Sequence, residues 1–517
     1  MSERRSRIDE HSSRDRRRVR HPPPPGRPHA DALAERPRAV VVGGGIAGLT
    51  AATALAERGV AVELYEREDH LGGRAGGWTA TLPGGDRVGM SRGFHAFFRQ
   101  YYNLRALLRR TDPGLDRLTA LPDYPLVDAA GRIDTFRGLP AVPPWNALAF
   151  ALRSPTFTAR DLLRLNARAA LPLMNVTVPG TYRRLDHLDA AEFLARLRFP
   201  AAARHLAFDV FSRSFFAPPD RLSAAELAVM FHLYFLGSAE GLLFDVPCRP
   251  LGDLWAAAGR HLTDLGADVR TGTAVDAVRP RPGGFTVETS YGGRPADAVV
   301  LALDVPGLRD LVAASPGLGD PEWRRRVAGQ ETAPPYLVRR LWLDRPVAAH
   351  RPAFLATGGL PPLDNVSVLN RYDEEAASWA RATGGSVVEL HAYAVTGARG
   401  PASARLLRRL HEVYPETGDP AIVGDVTEWR RDCPLFAPGT FTRRPTVDGP
   451  VPGLVLAGDG VRVDLPVALM ERAATTGWHA ANRLLTRWGL AGHPLTTVPL
   501  RGRVAVLRRL ADLAPAH

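Results

Sequence analysis

Gly43, Gly45 and Gly48 stand in a G-x-G-x-x-G pattern, and Glu66 closes the apolar run that follows. Residues of these types at this spacing can hold a nucleotide pyrophosphate. Gly43 permits the tight turn, and Gly45 lets backbone approach a phosphate. Gly48 lets a helix pack closely on a strand, with Ala47 beside it in the same turn. Glu66, next to Arg67, offers a carboxylate to ribose hydroxyls. Such roles need elements that position them. A β-branched strand, Arg38 to Val42, leads into the glycines. An alanine-rich helical stretch follows, from Thr50 to Arg58, and then a second strand, Val60 to Tyr65. The helix start turns free N–H groups and positive potential toward the phosphates. Strand, helix, strand and acid in register predict a Rossmann-type α/β unit holding an adenine dinucleotide.

The residues that come next bear on which dinucleotide it is. Leu71-Gly72-Gly73-Arg74 follows shortly after Glu66. With this segment the chain resembles the flavin amine oxidase and carotenoid desaturase superfamily, and the resemblance implies FAD. It places Gly73, Arg74 and Gly93 beside the cofactor. Two further segments match. Gly266 to Val275 reads as a strand and turn, and the family's valine matched by Val275 meets the adenine through its backbone. Ala296 to Ala302 resembles the buried strand that follows. Gly453 to Asp459 resembles the second FAD fingerprint, with Gly458 and Asp459 near the pyrophosphate and ribityl chain. Ala468 to Ala473 opens a helix whose N-terminus, with Met470, faces the flavin pyrimidine ring in the family. No second G-x-G-x-x-G stands in a strand–helix–strand setting, so no built-in NAD(P)H domain is expected.

Three separated flavin segments make the FAD-binding domain discontinuous: 36–98, 247–305 and 445–495. The insertions 99–246 and 306–444 are expected to form an α+β substrate-binding domain of helices and an antiparallel or mixed sheet. Helical patterning marks Tyr101 to Arg110, Arg160 to Ala170 and Ala190 to Leu197. Strand-like runs are Tyr336 to Leu343 and Ser386 to Tyr393. Residues 1–35, rich in arginine and proline, read as a disordered basic tail. Residues 496–517 read as a basic amphipathic tail, lying on a membrane surface or packed on the body.

Composition narrows the classes. At 517 residues and 45% hydrophobic, the chain can bury a large core. Cys248 and Cys433 make no disulfide framework, which suits a reducing compartment. No metal site is expected. No uncharged apolar run of about 18 residues occurs, so no membrane span is expected. The net charge is +12, and the chain contains no lysine. Nucleic acid is not expected as a partner, because no recognition module accompanies the charge. A cytoplasmic protein with peripheral membrane contact is the expectation.

Phe94, Phe97, Phe98, Tyr101 and Tyr102 crowd one short run, and Met230 to Leu236 is a second apolar block. Both suit core packing or a greasy tunnel. The run Arg92 to Leu104, Cys433-Pro434-Leu435-Phe436 and the stretch Leu456 to Gly477 resemble the bacterial isorenieratene synthases. These are carotenoid β-ring desaturase/methyltransferases that make aromatic φ-rings. Arg472 departs from the glycine common across the superfamily but suits this subgroup. The resemblance implies a carotenoid substrate such as β-carotene, FAD, and an electron acceptor such as a quinone or oxygen. Aromatising the ring needs two two-electron oxidations and a 1,2-methyl shift past the geminal dimethyl carbon, then proton loss to a base. Base candidates are His95, Glu389, His391, Asp464 and Glu471. Glu389 and His391 share a strand face. Alternatives are an acyclic carotene desaturase or isomerase and a prenyl-lipid carrier. An amine oxidase is disfavoured, because that family commonly uses a lysine at the flavin and this chain has none.

Overall fold

The computed structural model describes residues 13–200, 203, 206 and 213–513. Its centre is a five-stranded parallel sheet. The strands, in spatial order, are Asp268–Arg270, Ala61–Tyr65, Arg38–Val42, Ala298–Leu301 and Leu454–Leu456. Ala39 to Val42 and Ala298–Leu301 are apolar on both faces and buried, as strands covered on both sides require. The helix Ile46–Ala56 is buried along its whole length. Small residues suit it because it crosses the helix Leu469–Arg487 at close range. A Cβ on Gly477 would lie 2.4 Å from the Ala47 carbonyl oxygen, and one on Gly48 would lie 1.9 Å from that of Gly43. Gly48 therefore acts through packing.

The second sheet has seven strands: Ile422–Arg430, Tyr336–Leu343, Ser386–Ala392, Asn365–Val368, Phe354–Gly358, Leu126–Asp128 and Ile133–Asp134. All neighbours are antiparallel except Phe354–Gly358 and Leu126–Asp128. The expected mixed sheet thus draws strands from both insertions. Its register sets Arg340 opposite Glu389 and Asn365 opposite His391. Among the described residues, the helices Gly180–Leu185 and Ala190–Arg196 pack on Ala224–Phe231, and Tyr102–Leu108 packs on Leu469–Arg487. The helical stretch expected over Arg160 to Ala170 is two helices, Ala159–Arg164 and Ala167–Met174, because Asn166 caps the second.

The N-terminal expectation needs correction from residue 13 onward; residues 1–12 lie outside the described residues. Val19–His21 forms a strand paired antiparallel with Leu495–Thr497. Asp15 is buried and ion-paired with Arg503. Composition marks these residues as a solvated tail because the partner strand lies at the far end of the sequence. The C-terminal segment carries the helix Ala505–Leu513, which packs on Ala167–Met174. Asn175 Nδ2 donates to Asp512 at 2.6 Å.

Candidate active site

One cavity of about 610 Å³ joins the parallel sheet to the seven-stranded sheet. At the parallel-sheet end it is lined by Gly43, Gly45, Ala47, Glu66, Arg67, Gly73 and Arg74. Val275, Gly458, Asp459 and Met470 complete that end. Three separated stretches of sequence therefore meet around a single space. Gly45 caps the Ile46–Ala56 helix without a side-chain bond, which leaves the first N–H groups facing the cavity. The Glu66 carboxylate accepts from Gly44 N–H at 2.7 Å and Glu68 N–H at 3.0 Å, so its place at the strand end is fixed. Arg74 pairs with Asp459 across the cavity. These features fit an extended dinucleotide: an uncapped helix start, a fixed carboxylate, and cavity space beside Gly45 and Gly73, whose backbones lie against each other.

Gly48 and Gly93 do not line this space. Gly93 has φ of +103°, and a Cβ there would lie 2.9 Å from Val338 and 3.0 Å from His391. It lets the loop before Phe94 pass over the second sheet, and its carbonyl accepts from His95 Nδ1 at 2.7 Å.

The other end of the cavity is aromatic. Phe94, Phe216, Phe244, Phe354, Tyr336 and Tyr124 form its walls. The Phe94 ring lies 4.3 Å from Phe354 and 5.4 Å from Phe244, centre to centre. Tyr393, Asp364 and Asn365 supply polar atoms at this end.

The five base candidates separate. His95 lines the cavity, and burial drops its imidazole to about 4 against the Gly93 and Arg74 carbonyls, so it is neutral. Glu389 and His391 are buried but stand behind Phe94 and Tyr393. Burial raises the Glu389 carboxyl, but the Arg340 charge and the His391 hydrogen bond outweigh it and hold it at about 2. Asp464 is exposed and faces Arg462 at 3.2 Å, not the cavity. The backbone alternates there, so buried Val463 turns its neighbour outward. Glu471 is also off the cavity. Its carboxylate accepts from Asn103 N–H at 2.9 Å and Leu104 N–H at 3.0 Å, capping the helix Tyr102–Leu108. Burial pushes this carboxyl up to about 8 despite those bonds. Helical periodicity explains its place: Met470 faces the cavity, and the next residue points to the neighbouring helix.

Several site residues escaped the sequence reading. Tyr393 continues the Glu389, His391 alternation, and that period-two signal was available. Asn365, Arg340 and the buried Glu226–Arg444–Arg472 cluster depend on strands and helices far apart in sequence. No local pattern announces them.

The flavin containing amine oxidoreductase family matches residues 46–485. A carotenoid phi-ring synthase of Streptomyces griseus is 59% identical, across 97% of both chains. Another, from Chlorobaculum tepidum, is 28% identical across 92% of both. Among solved structures, a putrescine oxidase variant superposes with a TM-score of 0.64 at 17% identity, covering 88% of this chain and all of that one.

Proposed function

The chain belongs to the flavin containing amine oxidoreductases, beside its carotenoid phi-ring synthase relatives, and on that premise we propose that it turns a carotenoid β-ionone ring into an aromatic φ-ring. It is an FAD-dependent oxidoreductase. One observation carries the reading: a single cavity joins a dinucleotide cradle to an aromatic-walled pocket. Gly43, Gly45, Glu66, Arg74, Val275, Gly458, Asp459 and Met470 would hold the cofactor. Bound FAD supplies a two-electron acceptor against the ring. The protein's own part is to exclude water and to hold the ring. Phe94, Phe244 and Phe354 present π faces to the cation left after hydride loss, and such faces attract positive charge in a dry site. Methyl migration and proton loss follow within those walls.

Both methyl groups of the product's adjacent pair come from the substrate. Purified enzyme with β-carotene, FAD and an acceptor such as a quinone should therefore form the arene without S-adenosylmethionine. A deuterium label in the geminal methyls should be kept in full. A strict need for a methyl donor, or loss of label, would defeat the reading. An acyclic product from a phytoene-like chain would favour the desaturase alternative.

Peripheral membrane contact belongs to the same proposal. Among the described residues no helix is long and apolar enough to cross a membrane. Yet Trp145, Leu148 and Leu152 are 61%, 47% and 69% exposed on one face of the helix Trp145–Arg153. Val506 and Leu510 are exposed on Ala505–Leu513. Two bonds anchor these regions to the end of the helical segment His232–Leu236: Asn146 Nδ2 donates to the Phe235 carbonyl, and Arg503, just before the second helix, donates to that of Gly237. A file of ring contacts runs from the cavity wall at Phe244 through Tyr124 and Phe136 to Phe150 on the first of these helices. Half- to two-thirds-exposed side chains such as these would each gain about 1–2 kcal/mol on entering an apolar phase. Wild-type enzyme should float with anionic vesicles and be partly released by salt, whereas Trp145→Glu with Leu152→Glu should stay behind. Full solubility of wild type in low salt with vesicles present would contradict this contact.

A further inference from the structure

Glu389, His391 and Tyr393 alternate along one strand and its continuation, so their side chains share a face. Only Tyr393 reaches the cavity. Its hydroxyl oxygen lies 2.7 Å from His391 Nδ1. His391 Nε2 lies 2.8 Å from Glu389 Oε1, and Arg340 grips the other carboxylate oxygen at 2.6 and 2.8 Å. We propose that Tyr393 is the base that takes the ring proton, as the cavity end of a relay through His391 to Glu389. The proposal rests on the ring-aromatising reading above and names the residue that would perform one of its steps.

The direction of the relay follows from charge. Arg340 keeps Glu389 anionic, so it can only accept. His391 Nε2 therefore carries the proton and donates to it. The Phe94 N–H, 3.3 Å from the same nitrogen, is the weaker contact. Nδ1 is then left with a lone pair and accepts from the Tyr393 hydroxyl. Asn365 Nδ2 donates to the same hydroxyl oxygen at 3.3 Å, which favours negative charge developing there. This is the arrangement of an activated hydroxyl: donor, base and orienting carboxylate in line.

The step balances. A C–H bond of the ring cation breaks, and its electron pair becomes a ring π bond. That proton goes to the Tyr393 oxygen while the hydroxyl's own proton moves to His391 Nδ1. The imidazolium formed is stabilised by the Glu389 carboxylate. No oxidant is consumed, because the electrons left earlier with the hydride. His95 also lines the cavity, but its Nδ1–H is committed to the Gly93 carbonyl, and no carboxylate bonds to its ring among the described residues.

Tyr393→Phe keeps the ring that packs 4.8 Å from Phe216, so the fold is retained. Flavin-loaded wild type and Tyr393→Phe would be mixed with β-carotene in vesicles. Flavin bleaching would be followed in a single turnover without acceptor, and arene formation separately with a quinone present to take the remaining electrons. The variant should bleach its flavin as wild type does, hold its KM, and accumulate partly oxidised rings. Its arene formation should fall by about 10²–10⁴-fold, the usual weight of a general base. His391→Gln should give the same split. Wild-type arene formation by Tyr393→Phe would overturn the relay alone. Equal loss of bleaching and arene would make the residue structural and also overturn it. Wild type that bleached but made no arene would overturn the ring reading and the relay together.

Discussion

Gly45→Val should purify colourless, and wild type yellow. The glycine sits where the uncapped start of the Ile46–Ala56 helix meets the cavity. A Cβ there would lie 3.8 Å from Gly73 Cα, an ordinary contact, so the backbone tolerates it. The two γ-methyls of valine extend further, into the cavity that Gly45 lines and where the pyrophosphate would lie. The fold should survive, and the cofactor should not bind. Gly48 makes the contrast. Even alanine there meets the Gly43 carbonyl at 1.9 Å and should damage the fold itself. Ligand binding stabilises in proportion to the logarithm of ligand excess. The Tm of wild-type apoprotein should therefore rise on adding FAD, and that of Gly45→Val should not. Equal flavin content in the two proteins would sink the assignment of this cradle.

Glu226→Gln should produce the largest loss of stability. Glu226 is fully buried on the helix Ala224–Phe231 and pairs with both Arg444 and Arg472, themselves buried. Its second oxygen accepts from Arg472 Nη2 at 2.7 Å. Both guanidiniums also lie over the Phe436 ring, 4.6 and 4.9 Å from its centre. The amide keeps the shape and removes the charge, leaving two buried cations without a counter-ion. Breaking such a pair costs about 3–5 kcal/mol. Arg472 opens the helix that carries Met470 to the cavity, so flavin affinity should fall as well. The pH dependence has a definite sign. Burial raises the Glu226 carboxyl, but the Arg472 and Arg444 charges outweigh it and hold it at about 2, below its ordinary 4.5. A depressed carboxyl stabilises the fold fully above pH 4.5, and that contribution is lost as pH falls toward 2. Urea titrations should show a constant gap between wild type and variant at neutral pH, closing in that acid window. A gap that stayed constant throughout would mean that the ion cluster is not its source.

These two sites mark what a linear reading reaches. That Gly43, Gly45 and Glu66 meet at one cavity is legible because they belong to one local strand–helix–strand unit, with Arg74 in the turn just beyond it. The three distant segments are legible because each carries its own glycine or strand signature. The Glu226 cluster is different. One acid and two arginines come from separate elements, and each alone looks like a surface charge. The base candidates fall between these cases. Alternation along Ser386–Ala392 puts Glu389 and His391 on one face, but only packing reveals that Phe94 and Tyr393 screen them. Asp464 and Glu471 were attractive because they adjoin flavin-matching residues. A single step along a loop or helix turned each of them away. Residues 13–35 show the limit most plainly, since proline and arginine say nothing about a partner strand far along the chain.

The order of strands in the parallel sheet also sets a timetable for synthesis. Ala298–Leu301 lies between Arg38–Val42 and Leu454–Leu456, and Val19–His21 pairs with Leu495–Thr497. The glycine turn proposed to meet the pyrophosphate leaves the ribosome early, while Asp459 and Met470, at the same cavity, leave it late. Long-range pairing of this kind forms slowly and leaves strand edges open in the meantime. Until the late strands arrive, the early ones present apolar faces and unpaired backbone to solvent. Cofactor loading therefore belongs to the closing stage of biogenesis, and shortage of flavin would be felt as misassembly of nearly finished chains.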